Sequence, residues 1–208
     1  MKIDDLVRRP EARILSTREK ATEKAIHDQF LSLLKKRPIE KISVADLCDR
    51  VGINRSTFYR HYNDLYALLD SIVAEAHNAL FYDVIAKVDL SEDFDQVGYR
   101  YIYTVCETTE KQKNFYKLLM FGKTPTSLAE RMMESSYHLY EVAHNGPSDL
   151  LPSKDAHLHY RFLVSGMIGV WSNWVREDCK TDKEVLAHAI LEQIRGFYMT
   201  MGRLYGKS

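Results

Sequence analysis

The sequence predicts an all-α fold, and three observations carry that prediction. Apolar residues recur at three- and four-residue steps through nearly the whole chain. Strand-like alternation is rare. Pro and Gly fall mainly between the periodic segments, where helices stop. About nine helices result, grouped as a charged arm (1–16), a helix-turn-helix head (17–63) and a larger helical portion (64–208).

Helix 1 is expected from Thr17, its cap, to Lys36, with Ile26, Phe30, Leu33 and Leu34 on one face; Arg37-Pro38 stops it. Ser43 starts helix 2, which buries Val44, Leu47, Cys48 and Val51 and ends at Gly52. Asn54 caps helix 3, running to Tyr62. Asn63 or Asp64 opens a long helix 4 ending near Asp89. Ser91 caps helix 5, to about Glu107; helix 6 covers Asn114 to Phe121, closed by Gly122. Thr124-Pro125 opens helix 7, with Pro at the tolerated first position, and it ends near His144. Asn145-Gly-Pro-Ser is a loop, Ser153 opens helix 8 to Glu177, and Thr181-Asp-Lys-Glu is a capping box for helix 9, to Tyr205.

Composition narrows the function classes. The 208 residues are 45% hydrophobic, enough for a packed core. Formal net charge is zero, but residues 1–62 hold 14 Lys/Arg against 9 Asp/Glu, and the remainder holds 15 against 20. A basic N-terminal part and an acidic remainder fit a nucleic-acid reader joined to a module that does not touch phosphates. Cys48, Cys106 and Cys179 are far apart and odd in number, so neither a disulfide framework nor a zinc site is expected. No segment approaches the ~20 apolar residues of a membrane span, and Met1 to Ser16 lacks a signal-peptide core. A cytoplasmic protein is expected. No nucleotide loop, metal-ligand cluster or nucleophile with a placed base appears; His157 and His159, two apart, do not share a helix face. The expectation is no enzyme, no cofactor and no metal.

Residues 42–69 name a partner. Two short helical patterns flank Gly52, and the second leaves polar residues on its free face. Phe58, Tyr62 and Ile53 anchor it inward. Arg55, Ser56 and Thr57 then point at base edges of duplex DNA, and Tyr59, Arg60 and His61 grip phosphates. Thr17 and Ser43 sit at helix N-termini, where backbone N–H groups favour a phosphate.

Ile42-Ser43-Val44, Gly52-Ile53-Asn54, Ser56-Thr57-Phe58-Tyr59-Arg60-His61-Tyr62 and Leu68-Leu69 together give residues 17–70 a resemblance to the DNA-binding domain of TetR/AcrR-family transcriptional regulators. The resemblance implies a dimer with base contacts from Arg55, Ser56 and Tyr59. It implies phosphate contacts from Thr17, Ser43, Thr57, Tyr59 and His61. Two departures stand out: Ala45 where the family often has Arg, and Leu65 where it usually has Lys. Tyr101 to Leu119, Gly166 to Trp174 and Thr181-Asp-Lys-Glu resemble the subgroup that includes the dihydroxyacetone kinase operon activator.

The C-terminal portion is rich in aromatic and Met side chains, as small-molecule pockets often are. Arg100, Tyr103, Cys106, Tyr137 and His138 are the candidate lining groups for an unknown effector. Helices 8 and 9 are the candidate dimer interface, through Phe162, Gly166, Gly169, Trp171 and Trp174, and Ile190, Ile194, Phe197 and Met201. The expected function is a homodimeric, ligand-responsive regulator, a repressor in sign, reading a palindromic operator with helix 3 (54–62). The alternative is a regulator acting through protein contacts of the co-activator type, with no small-molecule effector.

Overall fold

The computed structural model describes residues 16–89, 92–121, 127–144 and 154–205, and these are almost entirely helical. Nine helices of seven residues or more follow in order: α1 (Thr17–Leu34), α2 (Val44–Val51), α3 (Arg55–His61), α4 (Leu65–Leu80), α5 (Phe94–Lys111), α6 (Lys113–Phe121), α7 (Leu128–His144), α8 (Lys154–Arg176) and α9 (Lys183–Tyr205). A 3-10 turn (Ile39–Lys41) precedes α2, and a four-residue helical turn (Tyr82–Ile85) follows α4. The all-α expectation holds. Among the described residues no helix is long and apolar enough to cross a membrane, and no group of three His, Cys, Asp or Glu is placed to hold a metal.

Each helix start has a local cause. Ser16, not Thr17, caps α1: its Oγ accepts from the Glu19 N–H, and the Glu19 carboxylate accepts from the Ser16 N–H. Ser43 caps α2 as expected, accepting from the Asp46 N–H at 3.0 Å. Asp64 caps α4 and Asp93 caps α5; Ser91, the expected cap, lies outside the described residues. A reciprocal Ser127–Glu130 pair opens α7 at Leu128, three residues beyond the expected Pro125 start; residues 122–126 lie outside the described set. Asp182, not Thr181, takes the first N–H groups of α9, while the Thr181 carbonyl accepts from Trp174 Nε1 at 2.7 Å.

Helix 4 was expected to run to Asp89 and instead ends at Leu80. Phe81 (φ −98, ψ −68) breaks it. His77, Phe81 and Tyr82 crowd that point: His77 stacks on Phe81 at 5.4 Å, and Tyr82 meets both rings edge-on. Bulky aromatic side chains restrict helical rotamers and reward such a break by packing on one another.

One continuous core runs from Ile26, Phe30 and Leu33 of α1, through Leu47, Phe58 and most of α4, to Leu119, Trp171, Trp174 and Leu191. Helix α5 lies along α9, and α8 along α7. The α5–α9 approach is close at Gly98, where a Cβ would stand 3.1 Å from Leu191 Cδ1. The turn from α8 into α9 places Asp178 (φ 62) and Cys179 (φ 57) in the left-handed region, which side chains resist. Lys117 holds the Asp178 carboxylate at 2.7 Å, Lys113 donates to its carbonyl, and the Cys179 N–H donates to the Trp174 carbonyl. All three cysteines are free and buried.

Gly52 (φ 75, ψ 36) turns α2 into α3, and a Cβ there meets nothing within 4 Å. The cost of a side chain is therefore backbone strain alone. Gly52→Ala is expected to destabilise by ~1–2 kcal/mol, read as a lower urea midpoint at unchanged slope. An unchanged midpoint would show that the turn does not need its left-handed residue.

Candidate nucleic-acid interface and apolar cavity

Helix α3 is short and polar, so it depends on its neighbours for its position. The Gly52 and Ile53 N–H groups both donate to the Cys48 carbonyl, which closes α2 and fixes the turn. Phe58 is fully buried and Tyr62 nearly so. These anchors leave Asn54, Arg55, Ser56, Tyr59 and Arg60 exposed in one row, with Thr57 half-buried. Asn54 stands at the cap position, but its side chain makes no capping bond. Tyr59 is 54% exposed, its ring edge-on to Phe58 at 5.5 Å. Thr17 and Ser43 are exposed at the N-termini of α1 and α2.

His61 departs from the expectation of a side chain presented to phosphate. Its ring is 3% exposed, and Nδ1 donates to the Glu23 carboxylate of α1 at 3.0 Å. It follows Phe58 by three residues, so it shares the inward side of α3. Beside it the Tyr62 hydroxyl meets His27 Nε2 at 2.7 Å, and His27 Nδ1 lies 3.5 Å from Glu75 of α4. Burial pushes the Tyr62 phenol up to about 12, so it stays protonated. Glu23, His27 and Glu75 thus tie α3 to α1 and α4. Sequence reasoning missed them; the four-residue step from Glu23 to His27 puts both on one face of α1 but does not say what they meet.

Arg37 donates to Asp46 at 2.7 Å, pinning the α1–α2 connection to α2. That bond, with Ser43 adding, holds the Asp46 carboxyl below its usual value against the opposing effect of burial.

The C-terminal portion carries a half-open cavity of about 310 Å3 between the end of α4, α5, α7, α8 and α9. Phe81, Val97, Gly98, Tyr101, Tyr160 and Ile168 are among its walls, and among the described residues Arg100, Tyr103, Cys106 and Tyr137 are not. The reason is helical phase. At ~100° per residue, Arg100 and Tyr103 lie about 100° and 200° from Tyr101 on α5. Arg100 is exposed and paired with Glu92 at 2.8 Å. Tyr103 stacks on Tyr99, with the Lys183 ammonium over its ring. Cys106 is buried on another side, its thiol pushed up to about 12 by burial, with Cys179 and Glu110 adding. The Tyr137 hydroxyl bonds to Ser165 at 3.0 Å. The side chain of His138 lies outside the described residues.

The expected dimer face also divides. Phe162 is 84% exposed, and Gly166 and Gly169 are exposed with it, beside an apolar groove of about 630 Å3 between α8 and α9 that reaches Ile190, Phe197 and Met201. Ile190 and Met201 are buried at the bottom of that groove. Ile194 packs on the core and lines the cavity instead. Trp171 and Trp174 are buried within the protomer. Trp171 is nine residues from Phe162, two and a half helical turns, hence on the opposite face of α8.

A helix-turn-helix head continuous with an all-helical body is the layout of a DNA-binding transcriptional regulator. Residues 98–196, a little under half of the chain, match a TetR-type family described as transcriptional regulator C-terminal region. The chain is 19% identical over 192 residues to an uncharacterized HTH-type transcriptional regulator, YxbF, of Bacillus subtilis (strain 168), a match covering 88% of this chain; the chain spans about half (48%) of that relative's length. The fold is shared with a TetR transcriptional regulator from Streptococcus agalactiae 2603V (TM-score 0.61, 23% identity, 85% of this chain and 95% of that one). It is also shared with the dihydroxyacetone kinase operon activator DhaS (TM-score 0.55, 17% identity, 86% and 97%).

Because Asp46 is held below its ordinary value, its pair contributes stability that is present above the ordinary carboxylate value of 3.8 and lost as pH falls through the lower folded-state value. Arg37→Ala is therefore expected to lower the urea midpoint at pH 7, with mutant and wild type converging once Asp46 is protonated in both. A gap that persists into acid would assign the effect to packing of the Arg37 stem.

Proposed function

We propose that the chain is a homodimeric, ligand-responsive repressor that reads a palindromic operator with α3. The observation that carries this reading is the exposed row Asn54, Arg55, Ser56, Tyr59 and Arg60 on a short helix whose other side is locked by Phe58. Residues 17–63 act as the reading head and 64–208 as the effector-binding and dimerising portion, with 1–16 as an arm. Arg55 and Ser56 meet base edges; an Arg can pair with guanine O6 and N7 through two hydrogen bonds. Tyr59, Arg60 and Thr57 take phosphates, as do the helix N-termini at Thr17 and Ser43. His61 contributes by holding α3 against Glu23 rather than by its own ring on DNA. Ala45 and Leu65 leave helix 2 and the start of helix 4 without the family's usual basic contacts.

Two recognition helices must stand about one DNA turn apart, ~34 Å, to read two half-sites. The exposed Phe162–Gly166–Gly169 face and the apolar groove beside it support a two-fold pairing of α8 and α9. Occupancy of a promoter by such a dimer competes with transcription, hence the repressor sign. An effector in the cavity releases DNA only by binding the two states of the protein unequally, and operator must weaken effector binding by the same factor.

Fluorescence anisotropy on DNA immediately upstream of the protein's own gene, at controlled salt, tests the reading. Tight binding well above that to scrambled DNA is expected; binding that is only weak and steeply salt-dependent would overturn it. Arg55→Ala is expected to cost ~1–3 kcal/mol on the preferred site and to relax sequence choice. Arg60→Ala should weaken all sequences alike and reduce the salt slope by about 1. The reverse pattern would overturn these roles.

A further inference from the structure

The cavity has a chemistry that narrows its occupant. Its described walls contain no Asp, Glu, Lys, Arg or His. The nearest candidate cation from the sequence, Arg100, turns away to Glu92. An ion entering such a space loses its hydration and finds no counter-charge, a loss that apolar contacts do not return.

Four polar groups remain, of which Tyr198 is 41% exposed, its ring edge-on to Phe94 and Phe197. Tyr160 donates its hydroxyl to the Ser136 carbonyl, and the Ser136 hydroxyl donates to the Met132 carbonyl, so both spend their protons within the protein. Tyr101 differs. It is half-buried, desolvation raises its phenol well above the ordinary value, and among the described residues its hydroxyl has no protein partner. A hydroxyl on an apolar cavity wall with no protein partner is the group a bound molecule can pair with, and that pairing adds to its affinity. Because it stays protonated it can donate to a carbonyl or accept from a hydroxyl.

Size and position complete the description. About 310 Å3 holds roughly ten to fifteen non-hydrogen atoms at ~20–30 Å3 each. One wall is Phe81, the residue at which α4 breaks, stacked on His77. The buried His77 ring is pushed below its ordinary value by burial, and among the described residues its Nε2 has no partner. An occupant therefore bears directly on the joint that ends α4.

We propose that this cavity binds an uncharged, largely apolar molecule of roughly ten to fifteen non-hydrogen atoms carrying one hydroxyl or carbonyl, with the Tyr101 hydroxyl as the specificity-determining group. The regulatory consequence rests on the ligand-responsive reading above; the binding does not.

Three probes of one ring system test it by isothermal titration calorimetry: 1-naphthol, naphthalene and naphthalene-1-sulfonate. Naphthol is expected to bind, naphthalene about tenfold more weakly for want of one hydrogen bond, and the sulfonate at least roughly a hundredfold more weakly. Tyr101→Phe should bring naphthol down to the naphthalene level and leave naphthalene unchanged. Ile168→Trp, which fills the space, should abolish both; should that variant not fold, the Tyr101→Phe comparison decides alone. Sulfonate binding as well as naphthol, a naphthol advantage that survives Tyr101→Phe, or no naphthol binding up to its solubility would each overturn the proposal. Operator affinity measured with and without naphthol separates the two ideas. Naphthol bound with operator affinity unchanged supports the site and overturns ligand-responsive regulation.

Discussion

Helix α4 is the constraint on which the rest depends. Leu65, Leu68, Leu69, Ile72, Val73, Ala76 and Leu80 are all buried in its sixteen residues. Such a helix has partners on several sides: α7 and α5 pack against it, and the core it joins extends into α1 and α3. Its first turn is capped by Asp64, directly after the recognition helix; its last turn ends at Phe81, in the wall of the cavity. Close-packed interiors shift between discrete arrangements rather than deforming smoothly. A displacement at Phe81 is thus carried along ~24 Å of helix, at 1.5 Å per residue, to the place where Tyr62 meets His27.

The head was legible in the sequence because its rules are local. Ser43 caps α2, Gly52 ends it, and Phe58 points inward, and each depends on residues within one or two turns. Helix existence was legible for the same reason. Boundaries slipped where neighbouring polar residues offered equivalent caps: Ser16 beside Thr17 and Asp182 beside Thr181. Which of two adjacent oxygens takes the free N–H is decided by backbone angles at the entry, and a sequence does not display those.

The facing of side chains was not legible, because it is a tertiary property. Helix α8 is apolar on more than one side, so Phe162 and Trp171 read as one stripe although they point in opposite directions. The same ambiguity put Arg100, Tyr103 and Cys106 in the pocket, where α5 in fact presents Val97, Gly98 and Tyr101. Gly98 holds the clue in retrospect. It permits α5 to approach Leu191 of α9, and that approach fixes which face of α5 looks inward. The His61–Glu23 pair was likewise hidden, since it joins residues 38 apart in sequence.

The α8–α9 turn shows how the body resists being loosened at the wrong place. Two consecutive non-glycine residues in the left-handed region are individually unfavourable, by ~1–3 kcal/mol each. They persist because Lys117 and Lys113 of α6, the Trp174 carbonyl and the Lys183–Glu110 bridge over-determine the turn. That end of the body is therefore rigid: α5, α6, α8 and α9 are stapled together there. The cavity lies along the same helices but toward the end of α4, where among the described residues the Tyr101 hydroxyl and His77 Nε2 lack protein partners and the α4 helix is already broken. With one end stapled and the other under-satisfied, a molecule entering the cavity does its work against the α4 break, the least constrained element it touches. The direction of any signal follows from that asymmetry, outward from Phe81 along α4 and away from the fixed α8–α9 turn.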